Sequence, residues 1–225
     1  MGRENIGFRS TITHIPLHSE VLFADHITTE VVWQPRGVST FRELYQGYFM
    51  SNDYSLHLRT TDEPAVPGTI ANVSRSFPQW SDKYIRIHLF IKQGGLAQLG
   101  LARAILQGVV SATARQAGIQ LDYISRTVKI LNGAGNYEQI TELDGKAIID
   151  QWQRIVIVLD WELQKYLYLE FDDVRIDISS ISLYNTAAIP VIIPTHIALE
   201  TENLINQHAD AMVDDILITG HNKLP

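Results

Sequence analysis

Carboxylates, aromatic rings and histidines are the groups through which this chain could do chemistry, because its 225 residues include no cysteine. Disulfides and thiolate metal sites are therefore excluded. The densest acidic run is Glu170-Phe171-Asp172-Asp173, followed by Val174-Arg175. Glu170 and Asp172 stand two apart and would share one face of a strand, and glycosidic cleavage needs two carboxyls flanking the bond, one as nucleophile and one as acid. The competing reading is an acidic strand end and turn, and no catalytic residue is assigned. Asp25 closes the apolar run Val21–Asp25, and Asp214-Asp215 lie at the start of the last apolar run. If those runs are neighbouring strands, Asp25 and Asp214, with Asp215 beside them, could hold a structural Ca2+ through oxygen ligands.

The aromatic residues suggest a different chemistry. A flat indole or phenol stacks on the apolar CH face of a pyranose while nearby polar groups take its hydroxyls. Trp33, Tyr45, Tyr48, Trp80 and Trp161 are the ligand-binding candidates. Trp33, Trp80 and Trp161 stand at strand ends beside Pro, Gln or acidic residues, which favours exposure. Trp152 and Tyr168 are assigned to the core. The eight histidines are scattered, and Pro16 between His14 and His18 breaks the helical spacing of a metal pair. Nucleophile-elbow, zinc-helix and phosphate-loop patterns are all missing.

These side chains must be positioned by strands. From Trp152 to Ser180, Ile155, Ile157 and Leu159 alternate up to Asp160, then Tyr166, Tyr168 and Glu170, then Val174, Ile176 and Ile178. Period-two runs with short polar breaks predict an antiparallel meander. Further strands are predicted at Val21–Asp25, Tyr54–Leu58, Ile70–Phe77, Tyr84–Lys92, Ile119–Leu131, Ile189–Leu199 and Val213–Thr219, with the proline-rich 60–68 as a loop. Pro35-Arg36-Gly37 reads as a break, and Pro190 and Pro194 place their strand at a sheet edge. Gly94–Gly118 fits either a helix, through Leu96, Leu99, Arg103, Leu106 and Val110, or two short strands. The total is about ten to thirteen strands and at most one helix. With no linker composition, 1–225 reads as a single domain with residues 1–20 as an N-terminal arm.

Composition sets the outer limits. The chain is 45% hydrophobic and 19% charged, enough to bury a sizeable core. A formal charge of −7 with no basic run argues against nucleic acid as a partner. No apolar stretch approaches the roughly 20 residues that span a bilayer. The N-terminus shows no signal-peptide core, so the expected location is cytoplasmic, although an exported protein with its leader removed would read the same way.

Trp152-x-x-Ile155-x-Ile157-x-Leu159-Asp160, then Tyr166-x-Tyr168-x-Glu170 and Asp172-Asp173-x-x-Ile176, resembles the laminin-G-like half of concanavalin A-like lectin/glucanase domains. Val21–Asp25 and Ala211–Ile218 are similar to the opening and closing strands of that superfamily, which pair. The resemblance covers about half the chain. It implies an all-β, antiparallel two-sheet jelly-roll sandwich. Two departures matter. Asp172-Asp173 stands where the family's hairpin usually carries Asn-Gly or Asp-Gly. The retaining-glucanase pattern Glu-x-Asp-x-x-Glu meets Arg175 at its last position, so the acid/base is missing. The expected function is non-catalytic carbohydrate or glycoconjugate binding. The alternatives are a glycoside hydrolase or polysaccharide lyase acting through carboxylates converging from separate strands, or a structural protein that forms a homo-oligomer.

Overall fold

The computed structural model describes residues 19–27, 32–36, 40–45, 54–60, 66–93, 100–110, 113–142, 151–186, 195–205 and 208–224. These form sixteen strands in two antiparallel sheets, with no helix among the described residues. Strands are numbered in chain order. The first sheet runs β13 (Val174–Asp177), β12 (Lys165–Phe171), β11 (Gln153–Asp160), β6 (Tyr84–Gln93), β16 (Asp210–His221), β4 (Ser55–Thr60) and β3 (Thr40–Tyr45). The opening strand β1 (Ser19–Asp25) pairs with the closing strand β16, as the resemblance implies. The second sheet runs β10 (Tyr137–Glu142), β9 (Thr127–Leu131), β8 (Thr113–Asp122), β7 (Gly100–Val110), β15 (His196–Asn203), β5 (Ile70–Ser76) and β2 (Gln34–Arg36), with β14 (Tyr184–Thr186) on β8.

Alternating apolar residues from the inner faces meet between the sheets. Leu56, Ile87, Leu89, Ile157 and Leu159 of the first sheet belong to one core with Val73, Leu106, Ile119, Val128 and Leu199 of the second. This is an all-β sandwich, as the strand pattern predicts, and of the jelly-roll kind that the resemblance implies. The meander is present as β11, β12 and β13, and the ambiguous Gly94–Gly118 stretch supplies β7 and most of β8. Tertiary pairing overrides helical spacing there: along β7, Ala102, Ala104 and Leu106 face the core while Arg103, Ile105 and Gln107 are half-exposed.

Several expectations are corrected. Pro35 does not break the chain but sits in the edge strand β2, where its missing N–H costs no ladder bond. The strand assigned to an edge because of Pro190 and Pro194 begins only at His196, and β15 is internal, paired with both β5 and β7. Those prolines, the N-terminal residues up to 18 and Tyr48 lie outside the described residues.

Tyr168 is not a core residue. A β-bulge places Tyr168 opposite Val158 but Tyr166 opposite Leu159, so β12 has one residue more than β11 and its alternation inverts. Tyr166 is consequently buried, and its hydroxyl accepts from Gly118 N (2.9 Å) and donates to Leu131 O (2.9 Å). Tyr168 faces outward, half-buried, with the Arg175 guanidinium 3.4 Å from its ring centre. Trp152 is half-buried as well and is absent from the core.

The acidic run is structural. Phe171 pairs with Val174 around the two-residue turn Asp172-Asp173, and Asp172 takes a left-handed φ of 50° that aspartate tolerates. The Asp172 Oδ1 accepts from Arg154 N (2.9 Å), and the Arg154 guanidinium reaches Asp172 O (3.1 Å) and Glu170 Oε2 (3.3 Å). Arg154 therefore takes up both carboxylates.

Candidate functional site

The predicted aromatic residues part company in the fold. Trp33 is fully buried, and its Nε1 donates to Asp25 Oδ2 (3.0 Å), so it offers no ring to a ligand. Its neighbours in sequence, Gln34 and Pro35, are exposed, and this polar flank misled the expectation of exposure. Tyr45 ends β3, but its side chain, like all of Tyr48, lies outside the described residues.

Trp80 and Trp161 are brought together, but only Trp80 is half-exposed: Trp161 is buried in the core, contrary to the exposure its strand-end position suggested. Trp80 lies in the β5–β6 connection and Trp161 in the β11–β12 turn, and their rings meet edge to face with centroids 5.1 Å apart. Behind Trp80 the aromatic contacts continue: Phe77 stacks on it at 5.6 Å, Phe23 lies 5.2 Å from Phe77, and Trp33 packs edge-on to Phe23 at 6.4 Å. This row fixes the Trp80 side chain against the core.

The two indoles line an open pocket of about 430 Å3 at one end of the sandwich, where the ends of both sheets converge. Gln79, Ser81, Asp82, Lys83, Arg115 and Glu162 complete its lining. Gly108 of β7 makes room for the aromatic pair, since a Cβ there would lie 3.0 Å from Trp161 Cζ2 and 3.4 Å from Trp80 Cη2. Trp161 N donates to Lys83 O (2.7 Å), tying the turn to the start of β6. Lys83 Nζ stands 3.7 Å from Glu162 and 4.0 Å from Asp160.

Arg115 enters from β8 opposite Gly108 and is buried. Its Nη1 donates to the Trp161 carbonyl, while its Nε is buried without a hydrogen-bond partner. Burial lowers its pKa from the ordinary guanidinium value. The Trp80 Nε1 is likewise buried and unpartnered. A ring surface framed by donors and acceptors is the arrangement a sugar requires.

The outward face of the second sheet carries a cluster that sequence reasoning missed. Glu200 and Glu202 share one face of β15, and Arg103 of β7 reaches both, at 3.5 and 2.6 Å. Arg103 Nε donates to Gln120 (2.8 Å), and Asn72 Nδ2 donates to Glu200 (2.5 Å). Tyr137 lies across Gly118 with Arg103 5.4 Å from its ring centre. Burial raises the Glu200 carboxyl pKa and outweighs the opposing pull of Arg103. The available signal was the period-two placement of Arg103 among small apolar residues, which helical spacing obscured.

The expected cation pair does not form. Asp25 pairs with core-facing Ile216, whereas Asp214 pairs with Phe90 on the outer face. The bulge between Asp214 and Leu217, within which Asp215 has φ 47°, puts the two carboxylates on opposite faces. Asp25 is instead held by Arg75, by Trp33 and by Ile27 N (2.7 Å). The Asp215 Oδ1 lies 2.8 Å from His26 Nδ1. Among the described residues no group of three or more His, Asp or Glu is arranged to hold a metal ion.

No protein-family model matches the chain. No curated protein sequence matches it. Among solved structures it is similar to a carbohydrate esterase from Shiga toxin-encoding bacteriophage phi24B, with TM-score 0.57, 13% identity and coverage of 90% of this chain and 99% of that one. It is also similar to the cellulose induced protein Cip1, with TM-score 0.54, 10% identity and coverage of 87% and 96%. A sialidase superposes with TM-score 0.54 at 12% identity over 84% of this chain, which spans only 17% of that protein. At these identities the likeness is one of fold: the chain is built as an all-β jelly-roll sandwich.

Proposed function

We propose that this chain binds carbohydrate, with the pocket between Trp80 and Trp161 as the binding site. The observation that carries this reading is the meeting of the two indoles in an open pocket that also presents Gln79, Asp82, Lys83, Arg115 and Glu162. Half-buried Trp80, backed by the buried Trp161, offers apolar surface for the CH face of a pyranose, and the polar side chains offer both donors and acceptors for its hydroxyls. Fold neighbours named as a carbohydrate esterase and a sialidase are in keeping with this reading. Calorimetric titration with a panel of oligosaccharides tests it. Binding that is lost in W80A is expected, and a panel with no binder would overturn the proposal.

A second reading rests on the outer face of the second sheet. Glu200, whose carboxyl pKa burial raises, and Glu202 stand on one strand face, with Arg103 3.5 Å from the first and 2.6 Å from the second. Such a pair could divide the acid and base roles of glycosidic cleavage. A reducing-end assay on polysaccharides checks it: activity abolished in E200Q supports catalysis, and no new reducing ends from any substrate discards it.

A further inference from the structure

The Trp80–Trp161 pocket contains one buried charge, Arg115. Lys83 stands near two carboxylates, Glu162 and Asp160. Arg115 is more deeply buried than Lys83, yet it makes no ion pair with any carboxylate of the described residues. Its hydrogen bond to the Trp161 carbonyl uses Nη1 alone. Nε is unpartnered, and Nη2 makes no hydrogen bond with the described residues. Nε is closed off inside the fold, so Nη2 is the donor left for a ligand carboxylate, through one charge-assisted hydrogen bond. A desolvated cation without a counter-ion is costly unless an anion completes it.

From this geometry we infer that the sugar taken by the pocket is an acidic one, whose carboxylate pairs with Arg115 while its ring lies against Trp80. The inference rests on the carbohydrate-binding reading of the same pocket and adds the ligand class to it. A uronic acid has the required form, since its carboxylate is attached directly to the ring that Trp80 would cover. Asp82 and Glu162 at the lining then accept from the ring hydroxyls, and Lys83 remains with its own carboxylates.

The test compares oligosaccharides of glucuronic, galacturonic and mannuronic acid with the same oligosaccharides after reduction of the carboxyl to the alcohol. All are titrated calorimetrically against the wild-type chain. At least one acidic form is expected to bind, more weakly as salt rises, and its reduced counterpart at least tenfold more weakly, the loss of a charge-assisted hydrogen bond. R115Q is expected to lose that discrimination, and the reduced-ligand comparison stands even if R115Q fails to fold. Equal binding of acidic and reduced forms overturns the acidic-sugar assignment while leaving carbohydrate binding intact. Binding of other, neutral glycans alone overturns that assignment in the same way. Failure of every glycan to bind overturns both.

Discussion

Tyr166 and Tyr168, two residues apart on β12, point to opposite faces of their sheet. A single bulge between them inverts the alternation and carries the Tyr166 hydroxyl across the core to Gly118 N and Leu131 O on the other sheet. Because Tyr166 links the two layers through a buried hydroxyl, Y166F leaves a buried donor and acceptor unpaired. It is expected to lower stability by about 1–3 kcal/mol, read as a lower urea midpoint with unchanged slope. No shift in midpoint would contradict the inter-sheet role.

Asp25 is buried and held by Arg75, Trp33 and Ile27 N. R75A removes its charge partner and strands the carboxylate, with an expected cost of about 3 kcal/mol, at the low end for a buried pair because Arg75 is partly exposed. The double variant R75A/D25N should recover part of that loss. Thermal melts of the two variants distinguish this account from loss of packing alone, which the second substitution would not repair. The same melts with and without chelator should coincide, since Asp25 and Asp214 do not share a face.

Two buried histidines set opposing pH limbs. For His57, burial disfavours the imidazolium, but hydrogen bonds and charge from Asp210 and Glu43 outweigh it and raise the pKa above 6.5. Its contribution to stability is full below the unfolded value and is lost as pH rises through the folded one. His88 is lowered to about 4, first by burial and then by Arg154 and Arg86. The unfolded chain takes up this proton near 6.5 while the fold does not, so stability falls as pH drops from 6.5 toward 4. At about 1.4 kcal/mol per unit, the full effect is about 3 kcal/mol. H57Q should flatten the alkaline limb and H88Q the acid limb; melting curves across pH that do not change in these variants would contradict the assignments.

Gly108 leaves the space in which Trp80 and Trp161 meet. G108V adds branched carbon where even a Cβ lies 3.0 Å from Trp161, so the indole contact must open. The near-ultraviolet circular dichroism of the tryptophans is expected to change and the melting temperature to fall by several degrees, an overpacking cost of about 1–3 kcal/mol. An unchanged aromatic spectrum would show that the pair does not depend on this glycine.

The scaffold was legible where one face of a strand is apolar without interruption, as in Ile155, Ile157 and Leu159, or Ile85, Ile87 and Leu89. What the pattern could not show is any register break. The bulge in β12 exchanged the expected places of Tyr166 and Tyr168, and the bulge between Asp214 and Leu217 separated Asp214 from Asp25. Neither leaves a glycine or proline in the sequence to mark it. Of the candidate site, Trp80 and Trp161 were named from their strand-end positions, but their meeting depends on a β5–β6 connection and a β11–β12 turn far apart in the chain. Arg115 and the Arg103, Glu200 and Glu202 cluster were invisible for the same reason. Each becomes chemically distinctive only through partners supplied by other strands.

Titration of the wild-type chain and W80A with the oligosaccharide panel, followed by tryptophan fluorescence and calorimetry, decides whether the indole pocket is a sugar site. Trp80 is half-buried at the pocket, so W80A should fold, with a lowered melting temperature, yet lose sugar binding at least tenfold. A change in indole emission should accompany binding in the wild type only. A sugar that binds both proteins with equal affinity, or a panel that binds neither, would contradict the assignment of this pocket.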